Sequence, residues 1–199
     1  MNIEKLVKNF QSRGYVVRVF DTAEQANNFI LEQTDGMSVG LGGSMTVEQM
    51  GLFNLLEKRG NAHWHFHSGS KEDICRAAAA QAYISGINAL SETGEIVNID
   101  GNGNRVSASI YGAEREKSFF VCGINKITEN LDKALWRAKN VAAPLNARRL
   151  GRKTPCAAKA DKCYNCNCED RICRVTAVFT HPTNKVETFL IIVRENLGY

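Results

Sequence analysis

Ile3, Leu6, Val7 and Phe10 recur at helical spacing, and Gly14 supplies a C-terminal stop. The period then changes. YVVRVF (15–20) is an apolar run of strand length. Asp21 and Glu24 form a capping pair for a helix that turns Ala26, Phe29 and Ile30 inwards. MSVGL (37–41) is a second strand, and it leads through GGS into a helix bearing Val47, Met50 and the apolar run 52–56, which Gly60 ends. AHWHFH (62–67) has the look of a strand, and Ser70 can cap the alanine-rich helix that follows. ISGINAL (84–90) is a further apolar run.

Strand and helix alternate up to this point, which implies a parallel sheet covered on both faces. After residue 90 the pattern shifts. EIVNID and RVSASIYG flank GNGN (101–104), a hairpin signal. SFFVCGI (118–124) is a buried strand, and Thr128 can cap a helix expected to end before Pro144. VTAVFT (175–180) and VETFLIIV (186–193) are the final strands. The chain is expected to form one α/β domain over 1–199, with a cysteine-rich segment at 155–174 inserted between the last helix and these strands.

Composition narrows the classes. The 199 residues are 44% hydrophobic and 23% charged, which suits a folded core and excludes compositional disorder. A net charge of +4 permits a small anionic ligand, but it is too weak to argue for nucleic acid. No apolar run reaches about 18 residues, so no membrane span is expected. MNIEKLVKNF lacks the apolar core of a signal peptide. A cytoplasmic location follows as the expectation, and there thiols stay reduced.

Four stretches could carry chemistry. In SVGLGGSMT (38–46) a strand runs through a glycine turn into a helix, where Gly42 and Gly43 let backbone N–H groups approach an anion and Ser44 and Thr46 add hydroxyls. A tight turn that simply needs glycine is the alternative. SETGEIVNIDGNGNRV (91–106) gathers Glu92, Glu95, Asn98, Asp100 and Asn102, which could bind sugar hydroxyls or supply a general base, or could be no more than a polar hairpin. His63, His65 and His67 would share one face of a strand, either as zinc ligands or as an edge stripe. Cys75 and Cys122 are expected to be small buried residues.

The fourth stretch is CAAKADKCYNCNCEDRIC, with Cys156, Cys163, Cys166, Cys168 and Cys173. Reduced, clustered thiols point to metal or redox chemistry. The compressed spacing, with a single residue between Cys166 and Cys168, is unlike a zinc ribbon and suits an iron–sulfur cluster, with zinc, or unliganded or redox-active thiols, as the alternatives. Arg148, Arg149, Arg152, Lys153, Lys159, Lys162, Arg171 and Arg174 outnumber Asp161, Glu169 and Asp170, an excess that stabilises thiolates.

GLGGSMT, ETGEIVNIDGNGNRV, GINKI (123–127) and VAAPLNARRL (141–150), in this order, together resemble the LUD-domain family of lactate-utilisation proteins, in a cysteine-rich, iron–sulfur variant, and the resemblance covers nearly the whole chain. It implies the fold of ribose-5-phosphate isomerase, glucosamine-6-phosphate deaminase and the CoA transferases: a mostly parallel sheet, helices on both faces, and a smaller β-rich part. The glycine turn of that fold binds phosphate or carboxylate, a role that falls here on Gly42, Gly43, Ser44, Met45 and Thr46. Glu92, Thr93, Gly94, Asn98 and Asp100 would form the opposite rim, with Lys126 near the same cleft. Glu92, Asp100 and Lys126 are the catalytic candidates, and Arg148 and Arg149, with Lys126, could pair a substrate carboxylate.

The function implied is an iron–sulfur subunit or enzyme, an oxidoreductase component with a 4Fe–4S cluster, in oxidation of lactate or a related hydroxy acid. Iron–sulfur or flavin electron-transfer subunits and a homodimer are the implied partners. A metabolite-binding regulatory module with structural zinc is one alternative. An isomerase acting on a phosphorylated small molecule, with Glu92, Glu95 or Asp100 as base, is the other.

Overall fold

A computed structural model describes residues 2–199. In chain order its strands are β1 (Val16–Phe20), β2 (Val39–Leu41), β3 (Ala62–His63), β4 (Ala82–Gly86) and β5 (Ala89–Ser91), then β6 (Ile96–Asp100), β7 (Lys117–Gly123), β8 (Ile127–Thr128), β9 (Val175–Phe179) and β10 (Glu187–Val193). The helices are α1 (Ile3–Ser12), α2 (Ala23–Gln33), α3 (Met45–Gln49), α4 (Leu52–Glu57) and α5 (His65–Ser68), then α6 (Lys71–Ala79), α7 (Asn104–Ile110), α8 (Leu131–Arg137), α9 (Ala143–Arg149) and α10 (Pro155–Lys159). Six strands form an all-parallel sheet in the order β1-β10-β7-β4-β2-β3, and four form a smaller mixed sheet in the order β8-β5-β6-β9.

The central strands are apolar on both sides because both sides are covered. Along β10, Phe189, Ile191 and Val193 join one core with Ala26 and Ile30 of α2, Val47 of α3 and Leu52 and Leu56 of α4. Leu190 and Ile192 face the other way, into a core with Leu6 and Phe10 of α1 and with Leu90, Ile96 and Phe179 of the small sheet. The small sheet shows the same alternation. Ala89, Val97 and Ile99 turn from that core towards Ala134 of α8 and Ala138 just beyond it.

Several expectations are corrected. The cap of α2 is Thr22, which exchanges hydrogen bonds with Gln25, in place of Asp21 and Glu24. The helix expected across 47–56 breaks into α3 and α4 at Gly51, whose φ of 65° is left-handed. AHWHFH is a two-residue strand followed by α5, because Trp64 is buried in the core and the chain turns there. Cys75 lies exposed on α6, whose buried residue is Ala77.

The hairpin at GNGN is absent. β6 pairs with the distant β9, Ile96 opposite Phe179, and RVSASI winds into α7 instead. The Asp100 carboxylate makes the helix start there by accepting from the Val106 N–H at 2.9 Å. Pro144 does not stop its helix. It lacks the N–H that would bond back to Asn140, and a π-turn over Ala138–Ala142 widens the helix just before it, so α8 runs on into α9. Among the described residues no helix is long and apolar enough to cross a membrane.

Candidate active-site cleft

A cleft of about 270 Å³ opens where β2, β4 and β7 end, the carboxyl edge at which open parallel sheets hold ligands. Gly43, Ser44 and Met45 line one side, and Asp100, Gly101, Asn102, Asn104 and Arg105 contribute another. Asn146, Arg149 and Arg152, with His65 and Phe66 of α5, add to the lining.

The glycine turn is tight for reasons within the protein. Gly42 donates to the Ile84 carbonyl at 2.9 Å and accepts from Trp64 Nε1 at 3.1 Å. A Cβ on Gly42 would lie 2.7 Å from the Tyr83 hydroxyl and 2.8 Å from Arg105 Cγ. Gly42 therefore supports the cleft without lining it, while Gly43, Ser44 and Met45 face it. Ser44 caps α3 by accepting from the Val47 N–H at 3.2 Å. Thr46 is fully buried beneath the turn.

Lys126 ends a 3-10 turn (Ile124–Lys126) directly after β7, and it lines the cleft although only 3% of its surface is exposed. Its amine donates to Thr46 Oγ1 at 2.6 Å and to the Ile87 carbonyl at 3.0 Å, and the Thr46 hydroxyl donates on to the Leu197 carbonyl at 3.3 Å. Burial lowers its pKa to about 7; Cys122 works the other way, and the cations Arg137 and Arg105 add to the depression.

Arg105 is held by neutral acceptors. Nη1 donates to the Gly86 carbonyl at 2.8 Å and Asn98 Oδ1 at 2.9 Å; Nη2 donates to Asn88 Oδ1 at 3.0 Å and the Ile99 carbonyl at 2.7 Å. Burial draws its pKa down, with Asp100 the main opposing charge. Asn98 is fully buried behind this fork, and its amide nitrogen has no partner among the described residues. Arg149 stacks its guanidinium 5.1 Å over the Phe66 ring and donates to Asn146 Oδ1. Among the described residues Asp100 is the sole carboxylate side chain in the lining, against the guanidinium groups of Arg105, Arg149 and Arg152, so the cleft favours an anion.

Not every candidate reaches the cleft. Glu92 accepts from the Asn2 N–H at 2.9 Å, and the carbonyls of Thr93 and Gly94 accept from Arg13 at 2.8 and 2.9 Å, so this loop faces α1 and is absent from the lining. Arg148 turns away to clamp the Ala157 and Ala158 carbonyls at the end of α10. The three histidines separate: His63 meets Asp73 at 3.6 Å, His67 meets Glu48 at 2.9 Å, and His65 alone faces the cleft. Burial lowers the His65 pKa, with Asp100 and Asp73 opposing. The sequence suggests no cleft role for Arg105 or Asn88, and it offers His65 only as a zinc ligand and Arg152 only as a cation beside the cysteines; the one signal for Arg105 is its place straight after GNGN.

The cysteine segment borders the cleft. Ile172, next to Cys173, is part of the lining, and its carbonyl would lie 3.1 Å from a Cβ on Gly101. Arg152 of the lining pairs with Asp170 at 3.1 Å. Asn140, in the widened helical turn, accepts from the Cys163 N–H at 3.1 Å. The Cys166 sulfur accepts from the Cys168 backbone, which draws its pKa down, and the contact between the two thiols also lowers it while raising that of Cys168. Arg171 donates to Cys173 Sγ at 3.2 Å. Cys156 Sγ lies 3.3 Å from Thr154 Oγ1. Among the described residues no three His, Cys, Asp or Glu side chains converge on one metal-sized point.

The LUD-domain family model matches residues 3–193 of the chain. Among solved structures, the chain is similar to a DUF162 family protein from Deinococcus radiodurans, with a TM-score of 0.57 over 97% of this chain and 99% of that one. At 11% identity that likeness speaks to the fold alone. No curated protein matches.

Proposed function

Since the chain belongs to the LUD-domain family, we propose that it is an iron–sulfur protein of lactate or related 2-hydroxy-acid oxidation, with the small carboxylate held in the cleft. The observation that carries this reading is the shared wall: Ile172 and Arg152 connect the cysteine segment to the anion-favouring cleft. The five thiols are of the type and number that a cluster needs; no three of them converge among the described residues, so binding would have to draw the segment together. Four of Cys156, Cys163, Cys166, Cys168 and Cys173 would hold it, with Arg171 supplying nearby positive charge. When bound, the cluster would accept or deliver electrons one at a time.

The remaining roles belong to this chain's own side chains. Arg149 and Arg152 attract and orient the carboxylate, and Arg105 adds positive charge from a fixed position. Lys126 exchanges a proton near neutral pH at the base of the cleft. Asp100 holds α7, and with it Arg105, against that base.

Anaerobic reconstitution with iron and sulfide tests the reading. Bound iron and sulfide are expected in the wild type and their loss in Cys166→Ser/Cys168→Ser, with lactate or pyruvate perturbing the electron paramagnetic resonance of the reduced cluster. A colourless protein without iron overturns it. A tightly held zinc with no redox-dependent absorbance favours a regulatory module with a structural metal.

A further inference from the structure

Lys126 is expensive for its surroundings. Lysine is almost never fully buried without a carboxylate partner, and long cationic side chains ordinarily lead their charge out to water. Lys126 does neither: it is 3% exposed and both its acceptors are neutral. The ionisable groups acting on it are the Cys122 thiol from β7, Arg137 from α8 and Arg105 from α7. Holding Thr46 and Ile87 in place would need only a neutral donor.

The bonding matches a neutral amine. Thr46 Oγ1 and the Ile87 carbonyl accept the two hydrogen bonds that a neutral amine can donate, which would leave its lone pair for a ligand in the cleft that Lys126 lines. An amine that is desolvated and set next to other cations is the form in which lysine attacks carbonyl carbon.

We propose that Lys126 forms an imine with the carbonyl group of a small 2-oxo acid whose carboxylate is held by the arginines of the cleft. The lone pair attacks the carbonyl carbon, and the C–N double bond forms as the carbonyl oxygen leaves as water with the two amine protons. No electrons are exchanged and no co-reactant is needed. A protonated imine draws electrons from the neighbouring carbon, whose hydrogens then exchange with solvent through the enamine. The choice of a 2-oxo acid rests on the hydroxy-acid reading above; the nucleophilic lysine does not.

Borohydride trapping tests this in the purified full-length protein. Pyruvate and sodium cyanoborohydride should convert Lys126 to a secondary amine carrying one pyruvate-derived group, located by peptide mass spectrometry. At pH 7.5 the neutral fraction of an amine with a pKa of about 7 exceeds that of an ordinary lysine by about 10²–10³, so Lys126 should be labelled ahead of every exposed lysine. Lactate, which has the carboxylate but no carbonyl, should slow labelling without being trapped. In deuterium oxide the protein should exchange the pyruvate methyl hydrogens, and Lys126→Met should abolish that exchange. Labelling is read on the wild-type protein both before and after reconstitution with iron and sulfide and is expected in both, so failure of the cluster reading leaves this result intact. Labelling spread over surface lysines, or a native wild type that leaves Lys126 unmodified, overturns the proposal without reliance on any variant folding.

Discussion

Replacing Lys126 with methionine removes the buried amine and keeps most of its volume. The unfolded chain titrates this amine near 10.5, and the folded protein near 7. Between those values the unfolded chain holds the proton and the folded protein does not. Stability contributed by this site therefore rises with pH through that window, and the full penalty of burying the charge applies below pH 7. The slope approaches about 1.4 kcal/mol per pH unit, so from pH 7.5 to 9.5 the wild type should gain about 2.5 kcal/mol relative to Lys126→Met. Other groups bend both curves. Burial pushes the Cys122 thiol up to about 12 and raises the Tyr15 and Tyr83 phenols, so all three weaken the fold at high pH. They are present in both proteins and largely cancel in the difference. Urea titrations of the two proteins across this range supply the measurement. A difference that stays flat with pH would show that the amine titrates as an ordinary hydrated lysine, and both the depressed pKa and the neutral nucleophile would fall with it.

Two further predictions concern the frame of the cleft. Arg105→Lys keeps the charge but cannot reproduce four planar bonds to Gly86, Asn98, Asn88 and Ile99; a loss of about 2–3 kcal/mol is expected, read as a drop of roughly 5–10 °C in Tm, and an unchanged Tm would mean that the guanidinium does not hold the network. Gly40→Ala would put a Cβ 2.1 Å from the Ala77 carbonyl oxygen and 2.7 Å from its backbone carbons, so α6 must shift at a cost of about 1–3 kcal/mol. Gly43→Ala meets Phe66 at 3.5 Å, an ordinary contact, and should be close to neutral; equal midpoints for the two alanine variants in urea would refute the packing argument.

The parallel sheet was legible because residues 119–122 of β7 and 189–193 of β10 are apolar without interruption, a pattern that requires cover on both faces. The site was legible in part. Ser44 and Met45 follow a strand into a turn, and that order places them at the sheet's carboxyl edge. The errors share a cause: local alternation imitated strands where a distant contact decides. RVSASI alternates, yet β9 had already taken the edge of β6 and the Asp100 cap favoured a helix. HWHFH alternates, yet the buried Trp64 turns the chain. The polar loop at 91–95 carries the residue types of an active site, but its partner is Arg13, and nothing within the loop's own sequence reveals that pairing. Arg105 needed the opposite knowledge, that carbonyls from two strands and two asparagines would meet at one point.

The cleft lies where two chains of connection cross from one sheet to the other. The chain leaves β4 of the parallel sheet at Gly86 and enters β5 of the small sheet at Ala89; it leaves β7 at Gly123 and enters β8 at Ile127. β5 and β8 then pair in parallel, with Leu90 opposite Ile127, so the two crossings run side by side. Strands that change sheets together must leave their ladder at the crossing, and the carbonyls freed there need donors. Arg137 donates to the carbonyls of Asn88 and Asn125, one from each crossing, at 2.6 and 3.1 Å. Lys126, on the second crossing, donates to the Ile87 carbonyl on the first at 3.0 Å. Arginine alone could bridge the gap as a permanent cation. A second bridge made by an amine that sheds its proton near neutrality sets that nitrogen in the wall of the cleft.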